Sequence, residues 1–183
     1  MVKLLFVCVG NSCRSQMAEA LANQLGEGKV LAFSAGTHPL GVISRGTREV
    51  LREKGVGLEG HWSKRLRDVP ISEMDVVVEM GLDVECPLPA DFKGRLIQWN
   101  IPDPYSLGQD YFRDVRDLIE GQVRRLLANL AGETGNSKIE TRKSKMETGK
   151  SKMETRRRKP ANRNPRLENP IFDFRISNFD FLL

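Results

Sequence analysis

The sequence predicts an α/β domain, a parallel sheet with helices on both faces, with a disordered tail behind it. Three observations carry this reading. Apolar runs that are continuous rather than alternating mark strands buried on both sides. They alternate along the chain with segments whose apolar residues recur at helical spacing, the order that builds parallel sheets. Near Gly132 this pattern stops and a short repeat takes over.

The elements follow in order. Val2 to Val9 is apolar apart from Lys3 and is bounded by Gly10, which gives the first strand. From Ser15 onward Met17, Ala18, Ala20, Leu21 and Leu25 recur at helical spacing, with Gly26 as the C-cap. Lys29 to Ser34 reads as the second strand, closed by the turn-like Ala35-Gly36-Thr37. Val42 to Lys54 reads as a helix with Val42, Ile43, Val50 and Leu51 as its apolar stripe and Gly55 as its stop. Asp75 to Glu79, with three valines in a row, is a third strand, and Leu96 to Trp99 a short fourth. Gln109 to Leu130 is a long closing helix, its stripe running from Phe112 through Val115, Ile119 and Val123 to Leu127.

This divides the chain into a domain over residues 1–131 and a tail over 132–183. "SKIETRK", "SKMETGK" and "SKMETRR" repeat from Ser137 to Arg157. Each copy has one apolar residue where a coiled coil wants two, so disorder is expected. Residues 1–131 carry 16 Lys+Arg against 17 Asp+Glu, and residues 132–183 carry 13 against 7. The basic charge therefore belongs to the tail, whose cluster Arg156 to Lys159 can attract anionic partners weakly. The final "IFDFRISNFDFLL" alternates like a strand without an evident partner.

Composition narrows the class. No apolar run approaches the roughly 18 residues of a membrane span, and the start of the chain lacks a secretory signal. Three cysteines, Cys8, Cys13 and Cys86, are too few for a disulfide scaffold and suit reactive thiols in a reducing compartment. A cytoplasmic protein with no membrane partner is expected. Two histidines and these cysteines lack zinc spacing, so no metal is expected; His61 reads as a hydrogen-bonded turn residue and His38 carries no signal.

The chemistry is concentrated in Cys8-Val9-Gly10-Asn11-Ser12-Cys13-Arg14, between a strand end and a helix start. Cysteine is a nucleophile as thiolate. N–H groups of Val9, Gly10, Asn11, Ser12, Cys13, Arg14 and Ser15, curled around a tetrahedral oxyanion, would bind its oxygens beside a helix N-terminus. Arg14 would hold two more oxygens bidentately. Gly10 lets the backbone turn, Asn11 can bond across the loop, and the Ser15 hydroxyl can donate to the Cys8 sulfur. Cys13 can come close enough for a reversible disulfide that guards Cys8 from over-oxidation.

The C-x5-R-S loop at the N-terminus resembles that of the low-molecular-weight protein tyrosine phosphatases and the related thioredoxin-coupled arsenate reductases. "SAGTHP" (34–39), "GHWSKRL" (60–66), "DVVVEM" (75–80) and "IPDPYS" (101–106) match in the same order. The resemblance covers Val2 to about Leu130. It implies a phosphatase-I-like, four-stranded parallel sheet with helices on both faces. It also implies that Asp103, held extended by Pro104, is the general acid and later activates water. Tyr105 would line the pocket mouth, with Tyr111 near it.

Two activities share this resemblance. "DPYS" leans toward phosphatases: hydrolysis of a phosphorylated protein or small aryl phosphate through phospho-Cys8, with no cofactor. "GNSCRSQMAEA", with Gln16 where phosphatases often have proline, leans toward reductases. There Cys86 matches the last cysteine of a relay that ends on thioredoxin or a low-molecular-weight thiol. The other relay cysteine is missing, since its place falls near Leu82 or at Met80. Hydrolysis is the first expectation, arsenate reduction through Cys8 and Cys86 the second, and a non-catalytic oxyanion-binding role the third.

Overall fold

The computed structural model describes residues 1–143, with side chains over 1–132. Four strands form one parallel sheet: β1 (Val2–Cys8), β2 (Val30–Gly36), β3 (Val76–Met80) and β4 (Arg95–Trp99). Their order is β2-β1-β3-β4. The register pairs Cys8 with Gly36 and Leu4 with Val76. Leu4 to Val7 of the central strand are fully buried, as are Val77 and Val78 of β3. A strand flanked on both sides and covered on both faces has few polar positions, which is why these runs are near-continuous in the sequence, Glu79 of β3 being the exception.

Side chains alternate across the sheet. Leu4, Phe6 and Cys8 face α1 (Arg14–Gly26), α2 (Arg45–Glu53) and α3 (Gln109–Lys143), meeting Met17, Leu21, Val50, Leu51, Phe112, Ile119 and Val123. Phe6 and Trp99 pack with ring centroids 5.6 Å apart. Leu5, Val7 and Val77 face the other way, onto Val69, Met74, Val84 and Cys86. Both faces carry helix, but unequally. Among the described residues the second face has two 3-10 turns, Leu66–Asp68 and Ile71–Glu73, and the loop up to Phe92.

Three boundaries differ from expectation by two residues or more, each for a local reason. α2 starts at Arg45 rather than Val42, because the Ser44 side chain accepts the Thr47 N–H at 3.1 Å and caps it there. Val42 is 65% exposed and lies ahead of the helix. β2 runs on from Ser34 to Gly36, because it pairs with β1 along its whole length. α3 continues past Leu130 to Lys143, into the segment expected to be disordered; its first heptad copy is rich in Lys, Glu and Arg, which favour helix without packing. The later heptads, the cluster Arg156 to Lys159 and the terminal Phe-rich alternation lie outside the described residues. No helix among the described residues is long and apolar enough to cross a membrane.

In this strand order the chain turns from β1 to one side for β2 and to the other for β3. Open parallel sheets bind ligands at the carboxyl ends of the strands flanking such a reversal. Here those ends are Cys8 and Met80.

Candidate active site

Cys8 closes β1, and the next five residues curl before α1 begins at Arg14. The carbonyls of this turn are bound from outside. Those of Cys8, Val9 and Gly10 accept the N–H groups of Thr37, His38 and Leu40 at 3.1, 2.9 and 2.9 Å. That of Ser12 accepts from the Ser44 N–H and the Thr47 hydroxyl. Asn11 has a positive φ of 42°, a conformation that Asn tolerates better than most residues. Gly36 permits the close approach of β2: a Cβ there would lie 2.6 Å from the Val9 carbonyl oxygen.

The Cys8 sulfur lies 3.0 Å from the Ser15 hydroxyl and accepts the Asn11 N–H at 3.2 Å. Behind it stands a buried polar network. Asn11 Nδ2 donates to Ser15 and Ser34, each at 2.8 Å. Its Oδ1 accepts from Gln16 Nε2 and from the Lys64 N–H. The Ser34 hydroxyl donates to Glu19, whose carboxylate also pairs with Lys64 Nζ at 3.1 Å. His61 Nδ1 meets Gln16 Oε1 at 3.1 Å, and burial holds its imidazole below the ordinary range. α1 is thus buried almost all round, with its polar side turned to this network. Every hydrogen-bonding atom of the Asn11 amide is used, so the left-handed turn is held by four contacts.

Arg14 is the first residue of α1 and is 4% exposed. Its Nη1 donates to the carbonyls of Met80 and Ile101 at 2.9 and 3.2 Å. Its Nη2 pairs with Asp103 Oδ2 at 2.6 Å. Gly81, at φ 135°, leaves room for this, since a Cβ there would lie 2.7 Å from Arg14 Nη1. Asp103 Oδ1 accepts the Tyr105 N–H at 3.0 Å, which fixes the carboxylate from its other end.

Cys8, Val9, Gly10, Ser12, Cys13 and Arg14 line a cavity of about 190 Å³ together with Leu40, Asp103 and Tyr105. That is room for one tetrahedral oxyanion and the first atoms attached to it. The Ser12 hydroxyl is buried in this lining and, beside the Cys13 thiol, has no well-formed hydrogen bond among the described residues. A buried polar atom without a partner is costly, and an oxyanion oxygen would relieve it. Tyr105, 54% exposed, stands at the rim. Tyr111 lies instead in the first turn of α3, outside the cavity lining.

The three cysteines are free thiols in different surroundings. Cys13 shares the cavity with Cys8, but its thiol donates to the Ser44 hydroxyl at 3.3 Å, and burial pushes it up from the ordinary range. Cys86 packs on the opposite face of the sheet from Cys8. Its N–H donates to Glu79 Oε1 at 2.6 Å. Burial first, and the Glu79 charge second, push its thiol up to about 11. Among the described residues no group of three or more His, Cys, Asp or Glu side chains could hold a metal ion.

Sequence reasoning missed Ser34, Glu19, Lys64 and Leu40. One signal was available: Glu19 sits four residues after Ser15 on an otherwise small and apolar helix face, an odd place for a charge without a buried partner.

Comparisons with known proteins agree with this fold. The glutaredoxin arsenate reductase of Synechocystis is 31% identical, over 72% of this chain and 100% of its own length. The low molecular weight protein-tyrosine-phosphatase YfkJ of Bacillus subtilis is 33% identical, over 73% of this chain and 98% of its own. A solved arsenate reductase in its phosphate-binding state superposes with a TM-score of 0.65 at 32% identity, covering 70% of this chain and 98% of that one. Residues 3–136 match the family described as low molecular weight phosphotyrosine protein phosphatase. That match takes in the four strands but for Val2 and every residue that lines the cavity, and the chain belongs to the low molecular weight phosphotyrosine protein phosphatase family, whose members include both phosphatases and arsenate reductases.

Proposed function

We propose that the chain hydrolyses phosphate monoesters through a phospho-Cys8 intermediate, in the manner of a protein tyrosine phosphatase. The observation that carries this is the contrast between Asp103 and Cys86. The carboxylate stands in the cavity with Cys8; the distal thiol is on the other face of the sheet. Hydrolysis needs the first, and reduction needs the second.

The steps follow from the contacts. The incoming phosphoryl group takes Arg14 Nη2 from Asp103, and the freed carboxylate takes up a proton from solvent; the phosphoryl oxygens meet the Ser12 hydroxyl and the N–H groups of the loop. The Cys8 thiolate, steadied by Ser15 and the Asn11 N–H, attacks phosphorus. The S–P bond forms as the P–O ester bond breaks, and the leaving oxygen takes a proton from the carboxyl of Asp103. Asp103, now ionised, accepts a proton from a water whose oxygen attacks phosphorus. The S–P bond breaks, phosphate leaves and the thiolate returns. No cofactor enters. Tyr105 and Leu40 at the rim suit an aromatic ester, so phosphorylated protein or a small aryl phosphate is the substrate class. Cys13, lining the same cavity, would guard Cys8 as a reversible disulfide. A thiolate nucleophile works in a reducing compartment, which points to the cytoplasm.

The likeness to arsenate reductases supports a second reading: Cys8 attacks arsenate, and Cys86 passes the oxidation to thioredoxin, glutaredoxin or a small thiol. This requires Cys86 to cross from its buried site. One paired assay tests both readings. p-Nitrophenyl phosphate hydrolysis and thiol-coupled arsenate turnover are measured on wild type, Cys8→Ser and Cys86→Ser. The expected result is hydrolysis lost in Cys8→Ser and kept in Cys86→Ser. Arsenate turnover that depends on Cys86, without hydrolysis, overturns the proposal. Oxyanion binding with neither turnover leaves a binding role.

A further inference from the structure

A second depression lies beside the catalytic cavity, about 480 Å³ in volume. Thr37, His38 and Pro39 form one side, and Arg65, Leu66 and Arg67 the other. It has no carboxylate in its lining. Arg65 and Arg67 are exposed, and neither guanidinium pairs with a carboxylate among the described residues. Asp68, the nearest acid in sequence, turns back onto the Arg65 N–H at 2.8 Å. Elsewhere in a domain of nearly balanced charge, Arg113, Arg116 and Arg124 all hold carboxylates. Two unpaired guanidiniums in one groove form a local excess of positive charge, with the exposed His38 beside them.

The groove is also coupled to the catalytic loop by backbone contacts. The 37–40 segment hangs on the carbonyls of Cys8, Val9 and Gly10. On its other side Gly36 bridges to Arg65, and the Gly36 N–H donates to the Lys64 carbonyl. Leu40 lines the catalytic cavity, while Pro39 and His38 line the groove. One short segment is thus the wall between the two. An extended chain leaving the cavity over this wall crosses about 7 Å in two residues.

We propose that this groove recognises acidic side chains two or three residues from the phosphorylated residue of a protein substrate. The proposal rests on the hydrolase reading above and names its substrate class: phosphopeptides with acidic flanks. Aspartate or glutamate there meets Arg65 and Arg67, contacts that salt weakens because both are exposed. Small aryl phosphates do not reach the groove.

The test compares kcat/KM on three phosphotyrosine peptides that differ only at the second and third positions on each side, bearing Glu, Gln or Lys. p-Nitrophenyl phosphate serves as the substrate without flanks. Two exposed contacts predict about a five- to tenfold preference for the Glu peptide over the Gln peptide at low salt, shrinking in 0.5 M salt. The double variant Arg65→Gln, Arg67→Gln should lose this preference and keep p-nitrophenyl phosphate turnover. A control, Arg48→Gln with Arg52→Gln on α2, removes the same charge from another exposed surface and should keep the preference. Equal kcat/KM on Glu and Gln peptides, or an equal loss in the control, overturns the groove while hydrolysis stands. No turnover of p-nitrophenyl phosphate overturns the hydrolase reading and the groove with it.

Discussion

Asp103 is held at both oxygens, by Arg14 and by the Tyr105 N–H, before any ligand arrives. Its proposed role as proton donor therefore has a clear signature. Asp103→Asn should lower hydrolysis of phenyl phosphate by about 10²- to 10⁴-fold, and that of p-nitrophenyl phosphate far less, because a good leaving group needs no proton. Steady-state rates on the two esters check this. Cys86 makes a separate prediction. Its folded thiol stays protonated up to about 11, while the unfolded thiol ionises near the ordinary 9.0. The folded state binds that proton more tightly, so the stabilisation is complete below pH 9 and is lost as pH rises toward 11. Urea midpoints should fall over this window in wild type and fall less in Cys86→Ala. At this scale the sequence was most readable where a residue type carries chemistry within a short loop, as with Cys8, Arg14 and Asp103. It was least readable where a contact spans many residues. The pairing of Glu19 with Lys64, 45 positions apart, is set by how α1 packs against the 61–65 segment, and no local spacing encodes that.

Among the elements, α2 shows how a cap can serve a site. Ser44 accepts the Thr47 N–H, receives the Cys13 thiol, and donates its own N–H to the Ser12 carbonyl. Ser44→Ala removes the first two and should cost about 1 kcal/mol, up to about 2. Val42→Ala, on an exposed residue outside the helix, should be nearly neutral; denaturant midpoints of the two variants separate these cases. The periodic stripe made α2 legible but not its start, because Val42 and Ile43 fit the helical period while Gly41, at φ 77°, and Ser44 set the boundary. The 3-10 turns at 66–68 and 71–73 escaped reading, since a three-residue turn has no period to detect. β3 was legible to within a residue, since a buried strand admits little but apolar side chains; β4, exposed at Arg95, Leu96 and Gln98, was legible to within a residue from its short apolar run alone.

Across the whole molecule, every group assigned to the site lies between Cys8 and Asp103 or at Tyr105, and the buried core of the described chain ends at Leu130. Deleting residues 144–183 should leave kcat/KM on p-nitrophenyl phosphate and the melting temperature within error of the full chain, while lowering the isoelectric point from about 9.3. Loss of activity in the shortened chain would show that the basic segment contributes to the site. The architecture was legible because alternating buried runs and helical stripes admit few arrangements of a parallel sheet. The placement of Cys86 on the far face follows from alternation along β1 and from the path of the loop after β3, which only three-dimensional packing determines. On the hydrolase reading, the ion pair between Arg14 and Asp103 also bears on the end of the cycle. Once Asp103 has passed the proton it took from water to solvent, its carboxylate competes for the guanidinium, so phosphate leaves against a replacement already within reach. Weak inhibition by free phosphate in the p-nitrophenyl phosphate assay is the expected result.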